Sequence, residues 1–407
     1  MFADKTVSIV QRRLTDSINC WNESDGLILA DLLMFENIHD SNRSAAEIDV
    51  ATEVLNYLQS FKHSSGNVEE LVILHLKSQH YLIIGQLESA FNALISCVQL
   101  FIKQMQSHKD NWALPVMIRL VTDARTLAFR CVDEKVSEDS DKILERTADS
   151  LMNCFRICCA DTRSDVKHTK RWGMLHLVNQ LFKIYFRMNN TKLCKPLIRA
   201  IEGSNLKNDY MKAQLVTYKF FLGKIELVEG NFDAAEESLT YAFNNRHPSC
   251  YENTRKVLNY LVPLKMLKGV MPSRYVIRKY DLTEYRRISE AIKVGNVRLL
   301  QQHLDDKQLR YVAMGIFVVM EKLILLAYRN LFKKIYNIMN QTHQLNLNLF
   351  FEALKFCGPD EDIEFDETEF IVANLIAKGF IKGYISHQHA VLVVSKQNPF
   401  PALTFLR

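Results

Sequence analysis

The side chains able to do chemistry are nine cysteines, twelve histidines and a few clusters of acids and bases. Cys154, Cys158 and Cys159 have the spacing of half a thiolate metal site, but a structural zinc site needs a second ligand pair. Phe155 and Ile157 interleave with them, so the stretch reads as a helix carrying buried core thiols. His387 and His389 would chelate only from one strand face, and no third ligand lies nearby in sequence. Asp161, Asp165 and His168 have no nucleophile beside them and read as a polar helix boundary. Walker A, GxSxG, GxGxxG and HExxH patterns are absent. We therefore assign no catalytic residue, metal ligand or cofactor.

Charge is more informative. The chain has 51 Lys and Arg against 46 Asp and Glu, a net +5. That excess names no partner, so its distribution carries the argument. Residues 251–300 hold eleven bases and four acids, and residues 360–369 hold seven acids and no base. Residues 370–407 then hold Lys378, Lys382, Lys396, Arg407, His387 and His389, with no acid. Lys378, Lys382, His387, His389 and Lys396 are candidate phosphate contacts, as are Arg329, Lys333 and Lys334, where 329 and 333 lie one helical turn apart. Glu367, Glu369 and Asn374 make the helix before them non-basic, which favours phosphate contact over base reading in a groove. The alternative is a solvated surface or a protein–protein module. Arg274, Arg278, Lys279, Arg286 and Arg287 read either as a dock for an acidic, disordered partner or as a solvated helix face.

The elements that must position these groups are mostly helices. Gly is 13 and Pro 8 of 407 residues, few breakers for a chain with room for two or three domains. Asp4, Lys5, Arg12 and Arg13 interrupt any apolar start, and the odd cysteine count in apolar runs predicts a reducing, intracellular setting. No run approaches the roughly 18 apolar residues of a membrane span. Val7, Val10, Leu14 and Ile18 have helical spacing, with breaks at 41–44 and 63–67. Leu222, Gly223, Gly230, Phe232, Ala235, Leu239 and Ala242 reproduce the tetratricopeptide spacing. Gly85, Leu87, Ala90, Leu94 and Cys97 repeat it, and Gly295, Asn296, Val297, Leu300 and Leu304 do so imperfectly. Residues 182–198, turning at Asn189-Asn190, add a further pair, so 70–305 reads as a helical solenoid with an acidic loop at 131–142. Phe220, Phe221, Tyr241 and Phe243, like Met314, Met320 and Met339, are expected in packing.

Beyond residue 310 the pattern changes. Residues 315–340 predict one or two helices, and 345–356 a short one with Leu347, Phe350, Phe351 and Leu354 inward. A loop follows at Gly358-Pro359. Asp366 is expected to cap the next helix, with Glu369 as its capping-box partner and Gly379 as its left-handed end. Strand 380–385, tip 386–389 and strand 391–394 complete a winged helix. The division expected is N-terminal helices over 1–66, a TPR-like solenoid over 67–310 and a winged-helix subdomain over 311–407.

Helical repeats running into a winged helix resemble the PCI domain shared by proteasome-lid, signalosome and initiation-factor subunits. Asn111-Trp112-Ala113-Leu114-Pro115, Leu181-Phe182-Lys183-Ile184-Tyr185, Cys194-Lys195-Pro196-Leu197, Arg329-Asn330-Leu331-Phe332, Lys382-Gly383-Tyr384-Ile385 and Gln397-Asn398-Pro399-Phe400 narrow that resemblance to the PCI domain-containing protein 2 family. The resemblance implies a PCI domain over about 205–400 and a non-catalytic subunit of the nuclear transcription and export complex 2. That complex couples transcription to messenger-RNA export through nuclear pores. It also implies two partners: a large PCI-containing scaffold of the GANP type and a small, acidic, disordered DSS-type protein. RNA or DNA would bind a surface shared by two winged helices. The implied location is the nucleus and its pores, extending to the cytoplasm, with no cofactor, membrane or small-molecule substrate. The alternative is an interaction subunit of a lid, signalosome or initiation-factor type complex that does not touch nucleic acid.

Overall fold

A computed structural model describes residues 2–35, 45–60, 67–136, 139–163, 165–358 and 363–403. They are mostly helical, with helical hairpins followed by a C-terminal winged helix. The chain forms two compact units, Met1–Tyr218 and Lys219–Arg407.

The first unit opens with α1 (Phe2–Asn22), α2 (Gly26–Leu32) and α3 (Ala45–Ser60). Val10, Leu14, Ser17 and Trp21 make the inner face of α1, so the helical spacing seen in the sequence continues one turn past Ile18. The break expected at 41–44 lies outside the described residues. So does most of that at 63–67, because Asn67 already begins a helix. Next come α4 (Asn67–Ile84), α5 (Leu87–Ser107), α6 (Leu114–Asp133) and α7 (Ser140–Cys159). Leu87, Ala90, Leu94 and Cys97 are all buried against α4, as the repeat spacing requires. The acidic loop is shorter than 131–142. Asp139 accepts a hydrogen bond from the Lys142 N–H and starts α7 early, and Arg130 pairs with Glu134 at the end of α6. A further pair, α8 (Met174–Arg187) and α9 (Cys194–Glu202), turns at Asn189, whose φ is +54°. Cys154 and Cys158 are buried, and burial pushes the Cys154 thiol up to about 12, keeping it protonated.

The division between units falls within α10 (Lys212–Val228). The second unit continues with α11 (Phe232–Asn244), α12 (Tyr251–Leu267), α13 (Arg274–Lys279), α14 (Thr283–Val294), α15 (Val297–Asp306) and α16 (Gln308–Met314). Gly223 lets α10 and α11 close on each other, since a Cβ there would sit 2.7 Å from Leu239 Cγ. Gly295 does two jobs at the third repeat turn. Its φ is +74°, and an added Cβ would lie 2.6 Å from the Leu331 nitrogen. Phe220, Phe221, Tyr241 and Phe243 are half-buried. Met320 is buried, but Met339 lies just past a helix end and is exposed, contrary to its expected place in packing.

The winged helix follows. It comprises α17 (Phe317–Ile338), β1 (Gln344–Asn346), α18 (Leu347–Cys357), α19 (Phe365–Ala377), β2 (Gly383–Ser386) and β3 (Val391–Val394). The antiparallel sheet has the order β1-β3-β2, with Leu345 and Ile385 both opposite Leu392. Phe332 of α17 meets Phe350 of α18 edge-on at 4.8 Å, in a core that also holds Leu354, Val372, Leu375 and Leu392. Each such large apolar side chain contributes about 1.5–3 kcal/mol on burial. That apolar mass lets a sheet of three- and four-residue strands exist at all.

Two local expectations are corrected here. The capping box does not form: α19 starts at Phe365, and Asp366 lies in its first turn. Buried Ile363 anchors the chain so that the helix is capped two residues early, at Glu364, and Glu369 has a different partner. The wing tip is also a 3-10 turn, His387–His389, closed by Ala390 at φ +50°, so the two histidines do not share a strand face.

Candidate nucleic-acid interface

The candidate residues divide into groups according to the element that holds each. Arg329 is turned inward. It is 6% exposed, and its Nη2 donates to the Phe400 and Pro401 carbonyls at 3.2 and 2.7 Å. Its Nη1 donates to Asn330 Oδ1 at 2.9 Å, and burial lowers its pKa. This guanidinium latches the C-terminal tail, so it is removed from the phosphate contacts expected of it. The tail completes the latch through Phe400, which is buried beside Tyr336. Lys334 is exposed, but its Nζ donates to the Val294 carbonyl at 2.6 Å, where a cation favours the C-terminus of α14. Lys333 is exposed and has no ion pair among the described residues.

His387 and His389 sit at the wing tip. His387 Nδ1 lies 2.9 Å from both carboxylate oxygens of Glu369 on α19. That hydrogen bond, with the carboxylate charge, raises the His387 pKa. The imidazole therefore staples the tip to the first half of α19 and has an anion already beside it.

Lys378, Lys382 and Lys396 gather at the other end of the sheet. Lys378 ends α19, and Lys382 precedes β2. The Ser395 N–H donates to the Lys382 carbonyl at 2.8 Å, which brings Lys396 beside the same hairpin base. The Val394 N–H donates to the His343 carbonyl, adding His343 to that end. All three lysines are exposed, and none is ion-paired among the described residues. At about 3.3 Å per strand residue, this base lies roughly 15 Å from the tip. At 1.5 Å per helical residue, the acids Asp366 and Glu367 stand about 18 Å from Lys378 along α19.

The module is thus electrically polarised, with acids and stapled histidine at one end and free ammonium groups at the other. Tyr384 adds an aromatic group that the charge pattern did not suggest. It is 63% exposed and, by strand alternation, shares the outer sheet face with Lys382. The signal available in sequence was the pair Tyr384-Ile385, of which one member had to face outward. The exposed face of α19 carries Phe370, Ala373, Asn374 and Ala377 between its acidic start and Lys378. That is a surface of small and apolar groups suited to protein contact, with repulsion of phosphate at the helix end that a groove-reading helix would insert.

In the same unit, Arg274, Arg278, Lys279, Arg286 and Arg287 are all exposed. Arg274, Arg278 and Arg286 line a cleft of about 340 Å³ with Ile277, Asp281 and Thr283. Asp281 is paired with Arg255 at 3.0 Å and Arg286 with Glu290 at 3.0 Å. Arg274 and Arg278 make no ion pair among the described residues. Lys279 stands over the rings of Tyr275 and Tyr280.

The described residues contain no group of three metal-ligating side chains, and no described helix is long and apolar enough to cross a membrane. Residues 298–396 match the PCI domain family. The chain is 42% identical over 387 residues to PCI domain-containing protein 2 of Xenopus laevis, covering 94% of this chain and 95% of that protein. It is 39% identical over 398 residues to the PCI domain-containing protein 2 homolog of Drosophila melanogaster, covering 97% and 99%. It is also 30% identical over 348 residues to the protein CSN12 homolog of Mycosarcoma maydis, covering 78% and 76%.

Proposed function

The chain belongs to the PCI domain-containing protein 2 family, and on that footing we propose that it is a non-catalytic, nucleic-acid-contacting subunit of the nuclear transcription and export complex 2. In this role it helps couple transcription to messenger-RNA export at the pore. The observation that carries the nucleic-acid part is the unpaired lysine group at the base of the wing, Lys378, Lys382 and Lys396, beside the exposed Tyr384 ring. Lysines neutralise phosphates, and an aromatic face stacks a base without regard to sequence. The mode differs from groove reading: the sheet base meets the strand, while the acidic start of α19 is kept from it.

The exposed face of α19 around Phe370 supports docking of a large PCI-containing scaffold of the GANP type, which would set two winged helices side by side. The cleft of Arg274, Arg278 and Arg286 suits a short, acidic, disordered DSS-type partner, because guanidinium groups recognise carboxylates in bidentate fashion. We place the protein in the nucleus and at its pores. The test is recovery of the tagged full chain from cells with crosslinking of bound RNA. A GANP-type scaffold, a small acidic subunit and RNA crosslinks within 378–396 are the expected result. Lid, signalosome or initiation-factor subunits without RNA would establish the rival reading, which the protein-like face of α19 also accommodates.

A further inference from the structure

A cavity of about 670 Å³ lies in the first unit, between the C-terminal ends of α5 and α7. Its wall carries four cations, Lys109, Arg156, Arg163 and Lys170. Helix C-termini are negative ends of the backbone dipole, so some cations belong there for structural reasons. Lys170 serves that purpose. It is 7% exposed, and its Nζ donates to the Met105 and His108 carbonyls at 2.7 and 2.6 Å. Arg163 serves the nearby acids, with Nη1 2.9 Å from Asp110 and Nε 3.7 Å from Asp161. Asp161 in turn accepts from the Lys170 N–H and the Thr169 hydroxyl, which ties the end of α7 to the turn at Thr169-Lys170.

Lys109 and Arg156 remain. Arg156 donates to the neutral Asn153 amide, and neither side chain has an ion pair among the described residues. With Lys170 held by carbonyls and Arg163 by Asp110 and Asp161, the lining keeps a positive surplus on two exposed side chains, Lys109 and Arg156. Ile102 and Ile157 give the cavity an apolar face, and Gln106 and Asn153 give it neutral hydrogen-bonding groups. The volume falls in the range of roughly 300–1,000 Å³ typical of small-molecule pockets, which combine an apolar lining with a few polar anchors.

We propose that this cavity binds a phosphate ester of nucleotide size. Lys109 and Arg156 hold the phosphate, and the body of the molecule lies against Ile102 and Ile157. The site is separate from the wing lysines and implies no turnover.

Isothermal titration of the full chain with ATP, and separately with pyrophosphate, tests this at constant ionic strength. ATP is expected to bind, pyrophosphate to bind more weakly, and K109Q/R156Q to weaken ATP at least tenfold. K109Q alone, at an exposed position past the helix end, should weaken it about three- to fivefold and serves if the double variant melts early. No ATP binding at millimolar concentration would overturn the proposal, as would unchanged affinity in the variants. Pyrophosphate binding as tightly as ATP would overturn the role given to Ile102 and Ile157.

Discussion

Replacing Lys378, Lys382 and Lys396 together by glutamine removes three positive charges without adding repulsion. All three side chains are exposed and unpaired among the described residues. The fold should therefore keep its stability within about 0.5 kcal/mol per site. The effect on RNA binding follows from counterion release. Each phosphate neutralised on a single strand contributes about 0.7 to the slope of log affinity against log salt. Three lost contacts should flatten that slope by about 2. Between 50 and 200 mM salt, the wild-type complex should lose about 20-fold more affinity than the K378Q/K382Q/K396Q complex. Fluorescence anisotropy of a labelled single-stranded RNA over that range reads both slopes. The control is H387A/H389A, where one imidazole already faces Glu369, and this pair should leave the slope unchanged at pH 7.5. If the lysine variant keeps the wild-type slope, or the histidine variant flattens it equally, the wing base is not the phosphate surface.

Arg329→Ala should free the Phe400 and Pro401 carbonyls and destabilise the protein by about 3 kcal/mol, taking each of these two bonds to the tail as about 1.5 kcal/mol. Denaturant unfolding with amide exchange at Lys382, whose N–H donates to the Pro399 carbonyl, checks this, and unchanged midpoint and protection would dismiss the latch. Ala235→Leu should cost about 1–3 kcal/mol by overpacking the contact where Gly223 meets α11. An unshifted melting midpoint would show that the two helices can separate there. The His387 pKa is raised in the folded protein, so its contribution to stability is full below the unfolded value near 6.5 and fades as pH rises through the folded one. Proton NMR should show the His387 titration move down in Glu369→Gln, and identical titration curves would mean that the pair does not hold in solution.

Periodicity carried the helical architecture because it is a local property. Leu87, Ala90, Leu94 and Cys97 turn inward for the same reason that their spacing matches one face of a helix. Gly379 was legible as a left-handed position because the backbone conformation itself selects glycine. β1 was not legible, since three residues give too little alternation to stand out, and its existence depends on β3 arriving beside it. The start of α19 was missed for a related reason, because Glu369 could serve either a cap or a partner distant in sequence.

The amino-acid sequence by itself determined the helical repeats, the three helices and terminal hairpin of the C-terminal module, and the basic character of residues 370–407. Only the tertiary structure decided which of those charges are available. Arg329 and Lys333 share a helix and a spacing of four, yet one guanidinium is folded under the tail and the other side chain faces water. Residue type sets a charge, but its use is set by what packs over it: a carbonyl or carboxylate brought from far along the chain occupies the charge before any ligand can.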